Sequence, residues 1–408
     1  MHPKRVYVGL QFLWGFACCI SATAYAPYLQ SLGLSMSDIA LINAVFWTVI
    51  SVAELPTGMF ADVIGRTRSM RIGTCLLAVA SLSYAFAQGI WSALLPEFIG
   101  GMAIAFVSGA DKAWLVDAMR AHDGPEAKLD RVLGNGQRYM SLGCLLGGLL
   151  GSWIGRFSFR AVYLCEGSIS VIMAMYVWVF LHEERAKSLD DASCSLAWRD
   201  QLIAGKTKFL QSGQALAASK ELRWAVLSTM VIALVLPLNL AWGAFFRHRF
   251  GAGGTSLLWA AFLIATGMGG EWIRRRGVRF GREVGPICLS LATAGFGMML
   301  LSLERSLSMA IFAAVVHDVG IGGMRCLTDL FVQRRIESSW RATYGSLHAL
   351  FSRLANGAIL ALWWLWSRGR GDDPRFVIQV WVTCGALLIT CAGVLFLIRP
   401  KPSLVVVV

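Results

Sequence analysis

Long apolar runs recur along the chain, with short polar gaps between them. They fall near 6–29, 38–61, 71–88, 91–118, 132–155 and 159–181, and again near 224–246, 256–273, 285–303, 308–331, 342–366 and 376–398. A run of about 20 apolar residues crosses a bilayer. In lipid, a single segment of that length satisfies its own backbone hydrogen bonds only as a helix. The pattern therefore predicts an all-α polytopic membrane protein with twelve transmembrane helices. One polar stretch is long, 182–223, and it divides six runs from six. The expected organisation is an N-terminal six-helix bundle over 1–181, a cytoplasmic linker over 182–223 and a C-terminal six-helix bundle over 224–408. The linker carries seven basic and six acidic residues, which suits a flexible or surface-lying segment.

Composition sharpens this picture. The chain has 408 residues, 56% of them hydrophobic and only 15% charged, against about 25% charged in an ordinary soluble chain. Its net charge of +13 raises the question of nucleic acid. The loops answer it. With the N-terminus in the cytoplasm, 25 of the 37 Lys and Arg fall in cytoplasmic segments and 8 on the opposite side. Such a bias sets orientation in a membrane, so both termini are expected in the cytoplasm and no nucleic acid is implied. Lys4 and Arg5 precede an apolar run that is too long for a signal peptide, so 6–29 is read as the first helix. The ten cysteines are scattered without a C-x-x-C pair and read as small packing residues. Neither a disulfide framework nor a metal site is expected.

The stretch between the second and third runs, ELPTGMFADVIGRTRSM, turns abruptly from apolar to basic. Gly58, Asp62, Gly65 and Arg66 have the spacing G-x-x-x-D-x-x-G-R. Gly58 suits a close approach of two helices, and Gly65 a tight turn. Asp62 and Arg66 are placed to bridge each other or neighbouring helix ends. The stretch resembles the cytoplasmic signature of the major facilitator superfamily. It departs from that pattern at Val63 and Thr67, where the family carries basic residues. In the second half Gly267, Glu271 and Arg275 repeat the spacing of Gly58, Asp62 and Arg66, and Asp329 ends a run as Asp117 does. Two related six-helix halves joined by a long loop are the arrangement this resemblance implies. It also implies that Asp62, Arg66 and Asp117 form a charge relay at a cytoplasmic gate.

Charges inside the runs need a partner, a cavity or a task, because each costs about 2.5–3.5 kcal/mol at mid-membrane on insertion scales. Glu54 lies one turn before Gly58, as a packing carboxylate or a gate. Glu97, Gly101, Ile104, Ser108 and Asp111 fall on one helical stripe, with Lys112 about 100° away. Asp318, Arg325 and Asp329 share a face of the tenth run, and Arg325 can pair with Asp329 locally. Glu166 can pair with a neighbour or face the cavity, and His317 and His348 read as hydrogen-bonded fillers or as titrating groups. Asp111 and Asp318 are the first candidates for a proton-coupling carboxylate and Glu54 the third, with Arg138, Arg325 or Arg353 as counter-charge. Gly134, Gly143, Gly147 and Gly151 follow the spacing of the antiporter signature of drug exporters. Gly148 and Ser152 replace its proline and last glycine. Plain helix packing explains the same row.

These features point to a secondary active transporter, a proton-coupled exporter of a small amphipathic molecule such as a drug, metabolite or siderophore-like compound. An importer of a sugar, nucleoside or organic acid is the alternative, and a membrane enzyme or non-transporting sensor a remote one. No Walker-type phosphate loop, H-E-x-x-H helix or nucleophile elbow occurs, so neither an ATPase nor an enzyme is expected. The implied partners are the small-molecule substrate, protons and the lipid bilayer. No cofactor is needed, the chain acts as a monomer, and the location is a cell membrane of the bacterial inner-membrane kind.

Overall fold

The computed structural model describes residues 2–124, 129–182, 213–214, 216–303, 306–335, 341–367 and 373–400. Within these, the side chains of Leu55, Asp62, Val63, Asp123, Asp130 and 341–346 lie outside the description, and so does most of the expected linker, 183–212. The described residues are helical, with no strand among them. The helices are α1 (Pro3–Ile20), α2 (Tyr25–Ser31), α3 (Met36–Ile64), α4 (Arg66–Tyr84), α5 (Ile90–Val107), α6 (Ala110–Asp123), α7 (Leu129–Ile154) and α8 (Phe159–Phe180). There follow α9 (Lys220–Val231), α10 (Leu236–Arg276), α11 (Val284–Leu303), α12 (Leu307–Gln333), α13 (Arg341–Ser367) and α14 (Pro374–Leu397). A 3-10 turn, Ile232–Val235, joins α9 to α10.

Among the described residues nine segments are long and apolar enough to cross a membrane. One of these, Lys220–Arg276, is 57 residues long and contains two of the expected spans. The third and fifth expected spans form α4 and α7, whose arginines and amides lower their hydropathy. Helix therefore occupies all twelve expected positions.

Three spans are not the single rods expected. The first breaks at 21–24, between α1 and α2. The fourth breaks at Ser108 and Gly109, between α5 and α6, where Gly109 takes φ +80°. Only glycine enters that left-handed region readily, so the chain changes direction there inside an apolar run. The seventh span begins at Lys220 and continues into the eighth within α10. Gly251, with φ 67° and ψ −176°, interrupts α10 in place of the longer loop expected.

Two compact units result, Met1–Leu34 with Val45–Lys206, and Ser35–Ala44 with Thr207–Val408. Within the first, α1 packs along α7 and α8, and α4 along α5 and α8. Within the second, α11 packs along α12 and α14, and α10 along α12. The third span of each half thus packs on the fourth and sixth of the same half, a structural counterpart of the repeated spacing in the sequence.

Small residues set the closest approaches. A Cβ at Gly15 would lie 2.2 Å from the Met140 carbonyl oxygen. At Gly143 and Gly147 it would lie 2.3 Å from the carbonyl oxygens of Phe12 and Phe16, and at Gly151 it would overlap that of Ile20. The glycine row of α7 is therefore the seam on which α1 sits, which is the packing reading of that row. Gly58 makes no such approach. Beyond its own helix, no described residue comes within 4 Å of its Cβ position, so among the described residues the close contact expected there is not made. In the second unit a Cβ at Gly322 would meet the Thr266 carbonyl oxygen at 2.0 Å and one at Gly269 the Val319 carbonyl oxygen at 2.2 Å. These contacts draw α10 against α12.

Candidate functional site

The α1–α7 seam leaves two walls facing each other. On α1, Tyr7, Gln11 and Trp14 recur at helical spacing and lie on one face. On α7, Leu133, Gln137 and Met140 do the same. The broken segment between α5 and α6 supplies the third wall, from Ser108 to Lys112. Together they enclose a cavity of about 460 Å³ within the first unit. Its polar groups are Gln11, Ser108, Asp111, Lys112, Gln137 and Tyr7. Gln11 donates from Nε2 to the Asp111 carboxylate at 3.0 Å.

The break at Gly109 corrects the expected stripe. Glu97 and Asp111 do not continue one helix face. Asp111 and Lys112 instead occupy the first turn of α6, and both line the cavity. Lys112 is therefore the cation beside Asp111. Arg138, expected as a counter-charge, is exposed, and its neighbour Gln137 lines the cavity in its place. Ser108 donates to the Glu54 carboxylate at 3.2 Å, which joins Glu54 to the same broken segment. A small apolar and aromatic chamber with one carboxylate, one ammonium and two amides suits an amphipathic solute carrying a hydrogen-bonding or charged group. Gln11 and Gln137 were not singled out in the sequence, although an amide recurring beside aromatics at helical spacing in an apolar run was a legible signal.

Beyond the cavity, the connection from α3 to α4 is the single residue Gly65, with φ +115°. Arg66 then starts α4 and donates from Nη1 to the Ala113 carbonyl oxygen at 2.7 Å. The same nitrogen is in close contact with the Asp117 carboxylate. Two members of the expected gate relay are thus joined, across α4 and α6. The Asp62 side chain lies outside the described residues. The pair is partly solvated, with side-chain exposures of 28% for Arg66 and 46% for Asp117.

The second unit arranges its charges differently. Asp318 on α12 accepts from Thr266 Oγ1 on α10 at 2.6 Å. Arg325 and Asp329 are exposed, and Arg353 is half-buried in α13. His317 is buried and donates from Nδ1 to the Ala294 carbonyl oxygen at 2.7 Å, a filler role. His348 Nε2 shares a 2.7 Å hydrogen bond with Thr229. Glu271 pairs with Arg274 at 2.6 Å and with Arg275 at 2.8 Å on its own helix.

Sequence reasoning missed the ion cluster of the second unit. Glu283, just before α11, has a fully buried side chain and meets Arg334 at 3.1 Å and Arg335 at 3.2 Å. The Arg335 guanidinium lies 3.6 Å from the centroid of Phe331 and 4.9 Å from that of Phe280. Burial by itself pushes the Glu283 carboxyl up. Its own backbone N–H and the two guanidiniums outweigh that and hold it below the usual carboxylate range. Among the described residues no group of three His, Cys, Asp or Glu is placed to hold a metal ion.

A family model described as Major Facilitator Superfamily matches residues 7–360. The MFS-type transporter MJ1560 of Methanocaldococcus jannaschii is 26% identical over 163 residues, 40% of this chain and 41% of that one. The quinolone resistance protein NorA of Staphylococcus aureus is 25% identical over 158 residues, 39% of each chain. The match thus spans about two fifths of the length of these relatives. Among solved structures, a mutant of the nucleoside transporter NupG superposes with a TM-score of 0.76 at 13% identity, over 98% of this chain and all of that one. A D-xylose-proton symporter superposes with a TM-score of 0.74 at 13% identity, over 98% of each chain.

Proposed function

The chain belongs to the major facilitator superfamily, a family of transporters and not of enzymes, and on that premise we propose that it is a secondary active transporter that exports a small amphipathic molecule in exchange for protons. The observation that carries this reading is the cavity of the first unit. Asp111 sits in it beside Lys112, with Gln11 holding the carboxylate. A proton-driven carrier needs a carboxylate that is protonated in one state and paired in the other as the two halves rock. Asp111 has such alternative partners within reach, Gln11 and Lys112. Asp318, held by Thr266, is the corresponding candidate in the second unit.

The Arg66–Asp117 pair serves the gate in this scheme. A half-solvated, charge-assisted contact opens and closes at small cost, because each partner regains water when they part. In this scheme the 1–181 and 224–408 bundles act as the two halves, and the bias of basic loops supports a gate and both termini in the cytoplasm. Similarity to a quinolone resistance protein supports export of drug-like solutes. Import of a sugar or nucleoside remains the second reading. It is favoured by the α7 glycine row, since its packing on α1 accounts for that row without an antiporter role.

The test is transport of a panel of drugs, nucleosides and sugars in inverted membrane vesicles with an imposed proton gradient. Accumulation of a drug-like solute driven by an acidic lumen is the expected result. Accumulation of a nucleoside or sugar only in right-side-out vesicles, driven by an acidic exterior, would replace export by import.

A further inference from the structure

Two carboxylates of the first unit take no part in the cavity or the gate. Glu97 lies two turns into α5 and Glu166 two turns into α8, with relative exposures of 5% and 8%. Tyr25 donates its hydroxyl to Glu97 Oε1 in a short hydrogen bond. Ser81 donates to Glu166 Oε1 at 2.9 Å. The two carboxyls lie close enough to act on each other, and the side chains of Tyr25 and Tyr84 face Glu97 while Ser21 and Ser81 face Glu166.

A layer of tyrosines encloses them. The rings of Tyr84 and Tyr163 stack at 4.9 Å, and Tyr28 meets Tyr163 at 4.8 Å. Tyr28 is committed, donating to the Tyr84 carbonyl oxygen at 2.6 Å. The Tyr163 hydroxyl is buried with no hydrogen-bond partner among the described residues, and the Tyr84 hydroxyl is turned to Glu97. Buried polar atoms are rarely left without a partner, and the Tyr163 ring is part of this layer.

The other groups near the pair are cysteines: Cys18, Cys19 and Cys165 lie close to Glu166, and Cys144 lies close to Cys18 and Cys19. Arg160 reaches Tyr28, but its guanidinium lies 4.7 Å over the Phe86 ring, and among the described residues no cation acts on either carboxyl. Two carboxylates sharing one buried site without a cation do not both ionise. Tyr84 ends α4 and Arg66 begins it, which puts this compartment about 27 Å along the helix from the gate pair at 1.5 Å per residue.

We propose that Glu97 and Glu166 form a second proton-binding site, at the end of the first unit opposite the Arg66–Asp117 pair, which holds one proton that neither Asp111 nor the gate accounts for. When that proton leaves, the O–H bond of one carboxyl breaks, the proton passes to water, and the hydroxyls of Tyr84, which faces Glu97, and of Tyr163 donate to the new carboxylate. The hydroxyls explain why the site exchanges its proton and is not merely kept neutral: donors stand ready for the charged form. The site stands on its own geometry and is independent of the role given to Asp111.

The experiment is pH-difference infrared spectroscopy of the full-length protein in nanodiscs, with its glutamate carboxyls isotopically labelled. A labelled C=O band of a protonated glutamate at neutral pH, lost on alkalinisation, is expected in the wild type and in Asp111→Asn. It should vanish in the Glu97→Gln/Glu166→Gln double variant, and the protons released per chain should fall by about one. If the double variant does not accumulate, either single variant serves, since removing one partner should shift the band and its titration. Absence of a protonated glutamate band in the wild type overturns the proposal. So does a band unchanged in the double or in both single variants. Retention of the site in Asp111→Asn separates it from the coupling role of the cavity.

Discussion

The two units fix their loop-side ends with ion pairs of opposite polarity and unequal burial. In the first, an arginine that starts α4 meets an acid near the end of α6, and both side chains keep contact with water. In the second, an acid that precedes α11 meets two arginines that follow α12, with Glu283 and Arg335 almost wholly buried. A solvated pair contributes about 0–1 kcal/mol and parts easily. A buried one holds the chain in one arrangement, because breaking it strands a charge out of water. The difference matches the proposed scheme, in which the Arg66–Asp117 contact moves and the Glu283 cluster stays fixed.

The largest expected effect follows from stranding Arg335. Glu283→Gln should destabilise the second unit by about 3–5 kcal/mol, read as a lowered unfolding midpoint in detergent. Replacing Glu283 and Arg335 together by Met should recover most of that loss, since well-packed apolar residues often match a buried pair. A double variant as unstable as the single would show that packing, and not charge, dominates there.

Acid gives a smaller effect with a definite sign. Glu283 is held below its unfolded value, so the cluster contributes fully above an unfolded pKa of about 4.3. Its contribution fades as pH falls through the depressed folded value. Wild-type stability should therefore drop on acidification below about pH 4, and Glu283→Gln should flatten that part of the profile. Parallel profiles would contradict the account.

Smallest in stability is the first-unit pair. Arg66→Ala or Asp117→Asn should cost no more than about 1 kcal/mol, yet impair transport, because the gate we propose would lose its closing contact. A severe loss of stability with normal transport in the surviving protein would reverse the assignment of movement and rigidity.

Much of the architecture was legible because an apolar run of bilayer length has one backbone solution in lipid. The breaks at 21–24 and 108–109 were not, since the few polar residues there, Ser21 and Thr23, and Ser108 with Asp111 and Lys112, lie within runs long enough to be read as single helices. Arg66 and Asp117 were legible through a motif. Glu283 was hidden: beside Arg279 and Arg282 it reads as a solvated charge in a basic loop, and only folding brings Arg334 and Arg335 onto it. Asp111 was visible as a buried charge, but its partner was not. The turn at Gly109 brings Lys112 to the cavity, and side-chain direction after such a turn is not written in spacing; Arg138, on α7, is exposed while Gln137 lines the cavity.

The most direct test of the coupling role is paired transport and binding in Asp111→Asn and Asp318→Asn, reconstituted with a substrate found in the vesicle assay. At least one variant should lose proton-driven accumulation by about tenfold or more, equal to about 1.4 kcal/mol of coupling, while still binding substrate and exchanging it downhill. Wild-type accumulation with unchanged dependence on the proton gradient in both variants would contradict it.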